Sequence, residues 1–374
     1  MKEIALYIHI PFCKQKCFYC DFKSYAGIES LEDDYVDALI LEIRNKCKNY
    51  TVKTLFIGGG TPSYLSEDNL LKLLKELNKL TYKENAERTI ECNPGTLTDE
   101  KIKIIKNNGI NRISMGLQTT KNNLLKDIGR IHTIEEFKEN YNRARALGIE
   151  NINIDIMFGL PNQSVKDYEE TVKEMVELNP EHISAYSLII EEGTCFYKLY
   201  EDGKLNTPSE EDERKMYELT KEILEKNNYK QYEISNYAKE GKECEHNKVY
   251  WRLDEYLGVG VSSSSYIGEK RIKNIDNIKE YINKIRNNED VSESIVNNTS
   301  REDMEEFMFL GLRLIDGIAL DEFKEKFSKD MMDVYGAVID KNKKLNLIEE
   351  KDGRILLTDK GIEVSNWVMS EFII

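Results

Sequence analysis

Three of the seven cysteines are concentrated near the beginning of the chain. Cys13, Cys17 and Cys20 form a C-x3-C-x2-C pattern, whereas the other four are scattered. Thiolates bind iron–sulfur clusters and structural zinc. A structural zinc site needs a fourth nearby Cys or His, and the nearest histidine, His9, falls within a predicted strand. The pattern therefore favours an iron–sulfur cluster on three thiolates, with one iron left open for chemistry.

Other polar residues follow the ends of predicted strands. A glycine-rich segment, residues 58–62, follows the second strand, and Glu91, Gln118 and Asp155 end or follow later ones. Glycines there let a ligand approach the backbone closely, although a tight turn is an equal alternative. For any single charged residue, including Arg130, a surface salt bridge is the alternative. Their repeated placement favours one shared polar pocket.

The elements that position these residues alternate between short β-branched runs and longer amphipathic helices. Helix-start signals support the pattern, since Thr98 precedes two acids and Thr133 and Ser164 each precede an acid by three residues. This alternation predicts right-handed βαβ units and a parallel sheet, open or closed into a barrel. The six predicted strands are Ile4–His9, Thr54–Ile57, Arg88–Glu91, Arg112–Met115, Asn151–Met157 and His182–Leu188.

The character of the chain changes near residue 287. Residues 287–303 are polar and lack periodicity, which predicts a linker. Residues 304–374 have helical patterns followed by two short strands and a final helix, which predicts a small winged-helix-like unit. The predicted division is therefore 1–286, 287–303 and 304–374.

The bulk composition excludes some functions. The 374 residues have a formal net charge of −15, which would repel phosphate backbones and argues against nucleic acid as a partner. No run of about 18 apolar residues occurs, and the first residues lack a signal-peptide pattern. The chain is therefore expected to be cytoplasmic, where cysteines are more often thiols or metal ligands than disulfides.

The segment from Tyr7 to Phe22 resembles the signature of the radical S-adenosylmethionine (SAM) superfamily. It is most similar to the branch of oxygen-independent coproporphyrinogen oxidases and HemW-type haem chaperones, and the similarity runs nearly end to end. The resemblance implies a partial (β/α)6 TIM-like barrel with a small, mainly helical, winged-helix-like C-terminal domain. It also implies a [4Fe–4S] cluster on Cys13, Cys17 and Cys20, with SAM on the fourth iron.

The same resemblance implies which residues hold SAM. Glu91 and Asp155 would serve its ribose or amino groups, and Gln118 and Arg130 would fix its polar ends. The glycine-rich segment would grip the methionine amino group through Gly59, Gly60 and Thr61. The implied flanking residues are Tyr7, the backbone at Tyr19, and Ile189 against the adenine.

Four features bear on the branch within the superfamily. Phe22 stands where the coproporphyrinogen-oxidising enzymes have a further cysteine, and those enzymes also have an N-terminal extension before the motif. The run from His246 to Trp251 resembles the His-Asn-x-x-Tyr-Trp element of the chaperone group. By that resemblance His246 is an axial ligand of haem iron and Tyr250 and Trp251 stack on the macrocycle, although a structural histidine is the alternative. Ser264 stands where many relatives have a second histidine.

The resemblance thus implies a haem chaperone that passes haem to membrane-associated respiratory haem proteins, and it leaves a homodimer open. The alternative is an oxygen-independent coproporphyrinogen III oxidase of porphyrin biosynthesis. A third function, nucleic-acid binding by the winged helix with a structural cluster, is disfavoured by the negative charge.

Overall fold

Six parallel strands, each followed by at least one helix, form the first half of the chain in the computed structural model, which describes residues 1–373. The strands lie side by side in chain order. They are β1 (Lys2–Ile10), β2 (Tyr50–Gly59), β3 (Thr81–Cys92), β4 (Arg112–Gln118), β5 (Ile152–Phe158) and β6 (His182–Ser187). The helices that follow them are α1 (Glu32–Cys47), α2 (Glu67–Leu77), α3 (Asp99–Asn107), α4 (Asn122–Asp127), α5 (Ile134–Ala146), α6 (Val165–Leu178), α7 (Cys195–Glu201) and α8 (Glu210–Lys226).

The sheet continues beyond these six strands and stays open. Its order is β12-β11-β10-β9-β1-β2-β3-β4-β5-β6-β8-β7, so β12 and β7 are its edges. This agrees with the predicted α/β fold and its partial barrel. The added elements are β7 (Lys230–Glu233), β8 (Asn236–Ala238), α9 (Glu245–Trp251), β9 (Tyr256–Val259), β10 (Ser264–Ile267), β11 (Lys270–Asn274), α10 (Ile278–Arg286) and β12 (Ser292–Asn297).

The helix-start signals have the expected structural basis. Thr98 accepts a hydrogen bond from the Lys101 amide at the start of α3. Thr133 and Ser164 form complete capping boxes at the starts of α5 and α6. These caps satisfy amide groups that have no partner within the helix, so each helix begins at a defined residue close to its strand.

The main hydrophobic core fills the space between the sheet and its helices. Every residue of β4 is buried, and β1 and β5 are buried along most of their length. Strands covered on both faces are typical of parallel sheets. Because the carboxyl ends of β1–β6 point in one direction, the loops that follow them lie at one edge of the sheet.

The C-terminal part has its own three-stranded antiparallel sheet, in the order β13-β15-β14. Its core includes residues from the preceding region, such as Leu253 and Tyr266, so it packs against that region. The arrangement agrees with the predicted small, mainly helical, winged-helix-like unit. Its elements are α11 (Ser300–Gly311), β13 (Ile318–Ala319), α12 (Leu320–Phe327), α13 (Met331–Lys344), β14 (Ile348–Lys351), β15 (Arg354–Leu357), α14 (Asp359–Glu363) and α15 (Ser365–Ser370).

The segment 287–303 is not an unstructured linker, and the prediction needs correcting there. It contains the edge strand β12, which pairs antiparallel with β11, and Thr299 caps α11 through a capping box with Glu302. No strand pattern is visible there because five of the six β12 residues are exposed, so no alternation of apolar and polar residues is required.

No helix within residues 1–373 is long and apolar enough to span a membrane.

Candidate cofactor site

One cavity at the carboxyl ends of the strands brings together most of the predicted site residues. Its volume is about 510 Å³. The three cysteines line it with nine of the ten residues predicted to bind SAM: Tyr19, Gly59, Gly60, Thr61, Glu91, Gln118, Arg130, Asp155 and Ile189. Residues from all six parallel strands or the loops after them therefore meet in one place.

The cysteine loop after β1 is anchored to neighbouring segments on both sides. The Cys13 amide donates to the Tyr25 carbonyl at 2.9 Å, and the Phe18 amide donates to the Ile128 carbonyl at 3.1 Å. The Thr61 hydroxyl lies 3.5 Å from Cys13 Sγ. These contacts fix the loop while all three cysteines remain free thiols.

Gly60 shows how closely the glycine-rich segment approaches this loop. A Cβ at Gly60 would lie 2.8 Å from the Phe12 carbonyl oxygen and 3.0 Å from Cys13 Sγ. The backbone oxygen cannot move away without breaking the loop, so only glycine fits. Gly60 and Thr61 also donate their amides to the carbonyls of Ile10 and Phe12 at 2.7 and 2.8 Å, which joins the β1 and β2 loops.

The donor set fits an iron–sulfur cluster better than a single ion. Within residues 1–373 no three Cys, His, Asp or Glu side chains converge closely enough to hold one metal ion. A cluster instead takes thiolates on separate irons, and the three thiols face one cavity from one anchored loop. Burial raises the pKa of Cys20 to about 11, and the charge of bound iron would favour its thiolate form.

Arg130 supplies a positive charge beside the cysteine loop. Its Nη1 lies 3.6 Å from Cys17 Sγ, and its Nη2 donates to Asn93 Oδ1 at 2.9 Å and to the Gly116 carbonyl. Asn93 in turn donates to the Thr61 hydroxyl at 3.0 Å. The contacts of Arg130 are with Cys17, Asn93 and Gly116 and with no acidic side chain of the described residues, and its Nε has no partner there. Its guanidinium is therefore available to a ligand carboxylate.

Two carboxyl groups form the opposite side of the cavity. Glu91 Oε2 accepts the Gly59 amide at 3.1 Å. Asp155 Oδ1 accepts from Asn153 at 2.6 Å, its Oδ2 accepts from the Ser114 hydroxyl at 3.4 Å, and Ser184 also hydrogen-bonds to the carboxylate. Burial, with a contribution from nearby Asp155, raises the pKa of Glu91 to about 8, and burial also raises that of Asp155. These few donors do not offset burial, so ligand hydroxyl or amino groups would further stabilise the charged forms.

Gln118 is held in an unusual backbone conformation at the end of β4. Its φ is +80°, which is uncommon for a residue other than glycine. Its side-chain oxygen accepts from the Tyr186 hydroxyl at 3.0 Å. That bond fixes the amide so that its NH2 group remains a donor for a ligand.

The remaining predicted contacts lie at the margins of the cavity. Ile189 lines its mouth with 67% of its surface exposed, as does Phe22 with 63%. Tyr7 does not line the cavity, because its hydroxyl contacts His9 Nδ1 at 3.0 Å and its ring stacks on Phe56. A direct contact between Tyr7 and SAM stays a prediction, one that this arrangement does not support.

His246 lies inside the fold and away from this cavity. Its Nδ1 is 2.9 Å from the Thr54 hydroxyl, its Nε2 is 2.9 Å from the Tyr250 hydroxyl, and its ring stacks on Phe56. Burial lowers its pKa to about 3, so it is neutral. Because both ring nitrogens are occupied, binding to haem iron would require the contact with Tyr250 or Thr54 to break. The structure thus favours the structural alternative for this histidine.

Several residues of the cavity were not predicted from the sequence. The neighbour of His246, Asn247, reaches the cavity from α9. Others repeat every second residue on a strand face, a spacing that marks one side of a sheet and was the available signal. They include Ser114 and Gly116 on β4, Ser184 and Tyr186 on β6, and Asn93 two residues after Glu91.

Two family models match the chain, the radical SAM superfamily over residues 7–175 and the HemN C-terminal domain over residues 298–364. The chain is 39% identical to the heme chaperone HemW of Bacillus subtilis over 374 residues, covering 99% of both proteins. It is 37% identical to the HemW of Lactococcus lactis over 374 residues, covering 100% of the chain and 98% of that protein.

A solved structure gives the same picture of the fold. The coproporphyrinogen III oxidase (HemN) of Escherichia coli, a radical SAM enzyme, superposes with a TM-score of 0.86 over 99% of this chain and 90% of that one. The sequence identity is 23%, so this similarity is one of fold alone.

Proposed function

The chain belongs to the HemW family of heme chaperones in the radical SAM superfamily, and from this premise we propose that it binds haem and a [4Fe–4S] cluster with SAM and passes haem to respiratory proteins. The observation that carries the proposal is the single cavity lined by the cysteine triad and nine predicted SAM residues. A cavity of about 510 Å³ falls within the usual range for small-molecule sites.

Each part of the cavity suits one part of SAM. Arg130 would bind the carboxylate, since it has no acidic partner among the described residues. Glu91 and Asp155 would accept from amino and hydroxyl groups, and Ile189 would cover the adenine at the mouth. When bound, the reduced cluster can supply an electron to the sulfonium group. The chain's own residues hold the cofactor in place and exclude water around the triad.

For haem, we propose the outer side of α9 in place of the predicted ligation by His246. Trp251 lines a cavity of about 360 Å³ together with Phe309, Leu310 and Met369. Tyr250 lines an adjoining cavity of about 270 Å³ that shares Phe309 and Leu310. The two form a continuous apolar and aromatic groove along α11, which suits a large planar ligand.

The groove also has groups that match the polar edges of haem. Arg313 lies 4.4 Å from the Trp251 ring centre and pairs with Glu233, and Arg271 lines the adjoining cavity, where it pairs with Glu306. A propionate would therefore compete with these carboxylates for the guanidinium groups. The Trp251 Nε1 atom is buried without a hydrogen-bond partner in residues 1–373. An acceptor on a ligand would satisfy it.

The chain's two tryptophans provide a matched test of this site. Trp251→Ala should weaken haem binding about tenfold or more, since the stacking surface at the centre of the groove is lost. Trp367→Ala should bind haem as the wild type does, because Trp367 is half exposed and does not line the groove. Titration of the Soret band measures both, and equal affinities in the two variants would refute the proposed groove.

The alternative activity is oxidation of coproporphyrinogen III. The similarity to the E. coli oxidase supports it only at the level of fold. Against it, Phe22 takes the place of the further cysteine and stands exposed at the cavity mouth. Cluster-loaded protein with SAM and reductant is expected to give no protoporphyrinogen. Robust conversion, together with no haem binding, would replace the chaperone proposal with the enzyme.

The proposed acceptors are membrane-associated respiratory haem proteins, which the chain would contact from the cytoplasmic side. Transfer is measured by mixing haem-loaded protein with membranes that contain an apo-cytochrome and following the acceptor spectrum. Sedimentation with and without haem tests whether the chain forms a homodimer. Transfer no faster than that of free haem would contradict the carrier function.

A further inference from the structure

A continuous chain of buried and partly buried hydrogen bonds leads from Asp155 in the cofactor cavity to the beginning of α9. Asp155 Oδ1 is 2.6 Å from Asn153 Nδ2, and Asn153 Oδ1 is 2.6 Å from His182 Nδ1. His182 Nε2 is 2.9 Å from the Tyr232 hydroxyl, which is 3.2 Å from the Cys244 amide nitrogen. Asn153 and His182 are directly opposite each other on β5 and β6.

The chemistry of these groups allows one direction of donation. The Asn153 amide must present its NH2 group to the Asp155 carboxylate, which leaves its oxygen as an acceptor. His182 therefore donates from Nδ1, and a neutral ring then has an acceptor at Nε2 for the Tyr232 hydroxyl. The Tyr232 oxygen accepts from the Cys244 amide. Every donor thus points toward Asp155.

His182 is held in the neutral form that this chain requires. The residue is fully buried, and burial lowers its pKa well below the ordinary value, with nearby Arg112 acting in the same direction. A protonated ring would donate from both nitrogens, so the Tyr232 hydroxyl would have to accept from the ring and turn its own hydrogen to another acceptor. Linked donors and acceptors in a buried site polarise one another, so the chain is stronger than its separate bonds.

We propose that His182 and Tyr232 are positioning residues that act through Asn153 to fix the Asp155 carboxylate for its ligand. The role of Asp155 toward SAM rests on the proposed function. The chain occupies Oδ1 with a 2.6 Å bond, whereas Oδ2 has a longer 3.4 Å contact with the Ser114 hydroxyl and Ser184 also donates to the carboxylate, so Oδ2 is the atom with more capacity left to accept from the ligand.

The other end of the chain reaches a second wall of the same cavity. Cys244 is the N-cap residue of α9, and Asn247 on that helix lines the cavity. The relay of Asp155, Asn153, His182 and Tyr232 therefore joins β5, which carries Asp155, to the helix that carries Asn247. It sets the distance between two ligand-facing side chains that lie 92 residues apart in sequence.

The first test reads the histidine ring directly. The chain has only four histidines, so selective nitrogen-15 labelling gives four pairs of ring signals, and His182→Gln identifies the pair of interest. At neutral pH we expect His182 to carry its proton on Nδ1 and to shift when SAM is added to cluster-loaded protein. A proton on Nε2, a charged ring, or no response to bound SAM would overturn the positioning role.

The second test removes one oxygen atom from the relay. Tyr232→Phe should weaken SAM binding to cluster-loaded protein by about threefold to tenfold, the usual range for one hydrogen bond. Tyr229→Phe is the matched control, because it loses a 2.7 Å bond to the Pro180 carbonyl outside the relay. We expect this control to bind SAM as the wild type does.

The outcomes separate this inference from the proposed function. If the cluster-loaded wild type does not bind SAM, both are overturned. If the wild type binds SAM and Tyr232→Phe binds it equally well, the positioning role is overturned and the proposed function stands. If Tyr229→Phe is weakened as much as Tyr232→Phe, the effect is general destabilisation and the positioning role is again overturned.

Discussion

The three cysteines of the triad differ from the other four in their surroundings. Cys17 and Cys20 are partly exposed to the cofactor cavity, whereas Cys47 is packed in the hydrophobic core and burial raises its pKa to about 12. A core thiol of that kind behaves as a small apolar side chain. Position relative to the cavity therefore decides which cysteines can hold metal.

Replacement of any one cysteine of the triad by Ala should abolish or strongly reduce the bound cluster. Anaerobically reconstituted wild type should contain about four irons per chain, because three thiolates with an open iron fit a cubane cluster. Cys47→Ala is the control and should keep its iron. Iron and sulfide analysis with visible absorbance measures the result, and full iron content after loss of all three cysteines would contradict the assignment.

The raised pKa of Glu91 predicts that the affinity for SAM depends on pH. With a pKa near 8 in the empty cavity, Glu91 is mostly protonated at pH 7, and donors from the ligand would favour its charged form. Binding should therefore release a proton, and affinity should rise between pH 6.5 and 8 by at most about tenfold per pH unit. Calorimetry in buffers of different ionisation enthalpy measures the proton, and Glu91→Gln should not release it.

For single residues, the sequence predicted those members of the cofactor cavity that belong to contiguous motifs. The triad and the glycine-rich segment are adjacent along the chain, so their spacing was enough. Tyr186 and Asn247 join the cavity only through the register of β6 and the rotation of α9, which spacing does not specify. The motif of His246 likewise left open which side of α9 faces a ligand, and the structure turns His246 inward.

Among the elements, α7 has a specific role in supporting the cysteine loop. Its Phe196 packs against the rings of Phe18 and Tyr19, with centroid distances of 6.2 and 6.5 Å, and its amide donates to the Phe18 carbonyl. These residues belong to a small hydrophobic cluster that is separate from the main core. The loop is therefore stabilised locally.

Phe196→Ala should make the iron–sulfur cluster easier to remove without unfolding the protein. Truncation of a buried Phe costs about 3–5 kcal/mol, and here the loss falls on the loop that carries Cys17 and Cys20. Iron should be removed faster by a chelator. Phe323→Ala, in the C-terminal core, is the control and should lower overall stability while iron release stays slow. Equal release rates in the two variants would show that α7 does not support the loop.

The elements that the sequence predicted well are those that are buried. The six parallel strands appear as apolar β-branched runs because both faces are covered, and each was found within a few residues of its predicted position. By contrast, β7 and β8 have four and three residues, and β12 is almost entirely exposed. Such strands are specified by hydrogen bonds to a neighbour, which leave little pattern in the sequence.

For the whole molecule, all four histidines resist protonation. His9, His132, His182 and His246 are buried, and burial lowers the pKa of each, to about 3 for His132 and His246. In the unfolded chain these groups titrate near pH 6.5. A group with a lowered folded pKa stabilises the fold above its unfolded pKa, and the free energy of unfolding falls as the pH drops below 6.5.

Glu91 changes the pH dependence of the free energy of unfolding in the direction opposite to that of the histidines. Its folded pKa of about 8 lies above its unfolded value of 4.5, so the unfolded state loses its proton first as pH rises. Glu91 therefore stabilises the fold at low pH, and this contribution is lost as pH rises toward 8. In the cluster-free protein the Glu91 effect acts across pH 5.5 to 7.5 and the histidine effect joins it below about pH 6.5, so the wild-type curve is their difference.

The change in the free energy of unfolding between pH 7.5 and 5.5, measured with urea, should differ from that of the wild type in opposite directions for two variants. His246→Phe keeps a ring against Phe56 but no longer titrates, so its free energy of unfolding should fall by about 1 kcal/mol less than that of the wild type on acidification. Glu91→Gln no longer opposes the histidines and should lose about 2 kcal/mol more than the wild type. Each variant is compared with itself at the two pH values, so a uniform loss of stability cancels. Variants that change in parallel with the wild type would mean that neither group keeps its shifted pKa in the folded protein.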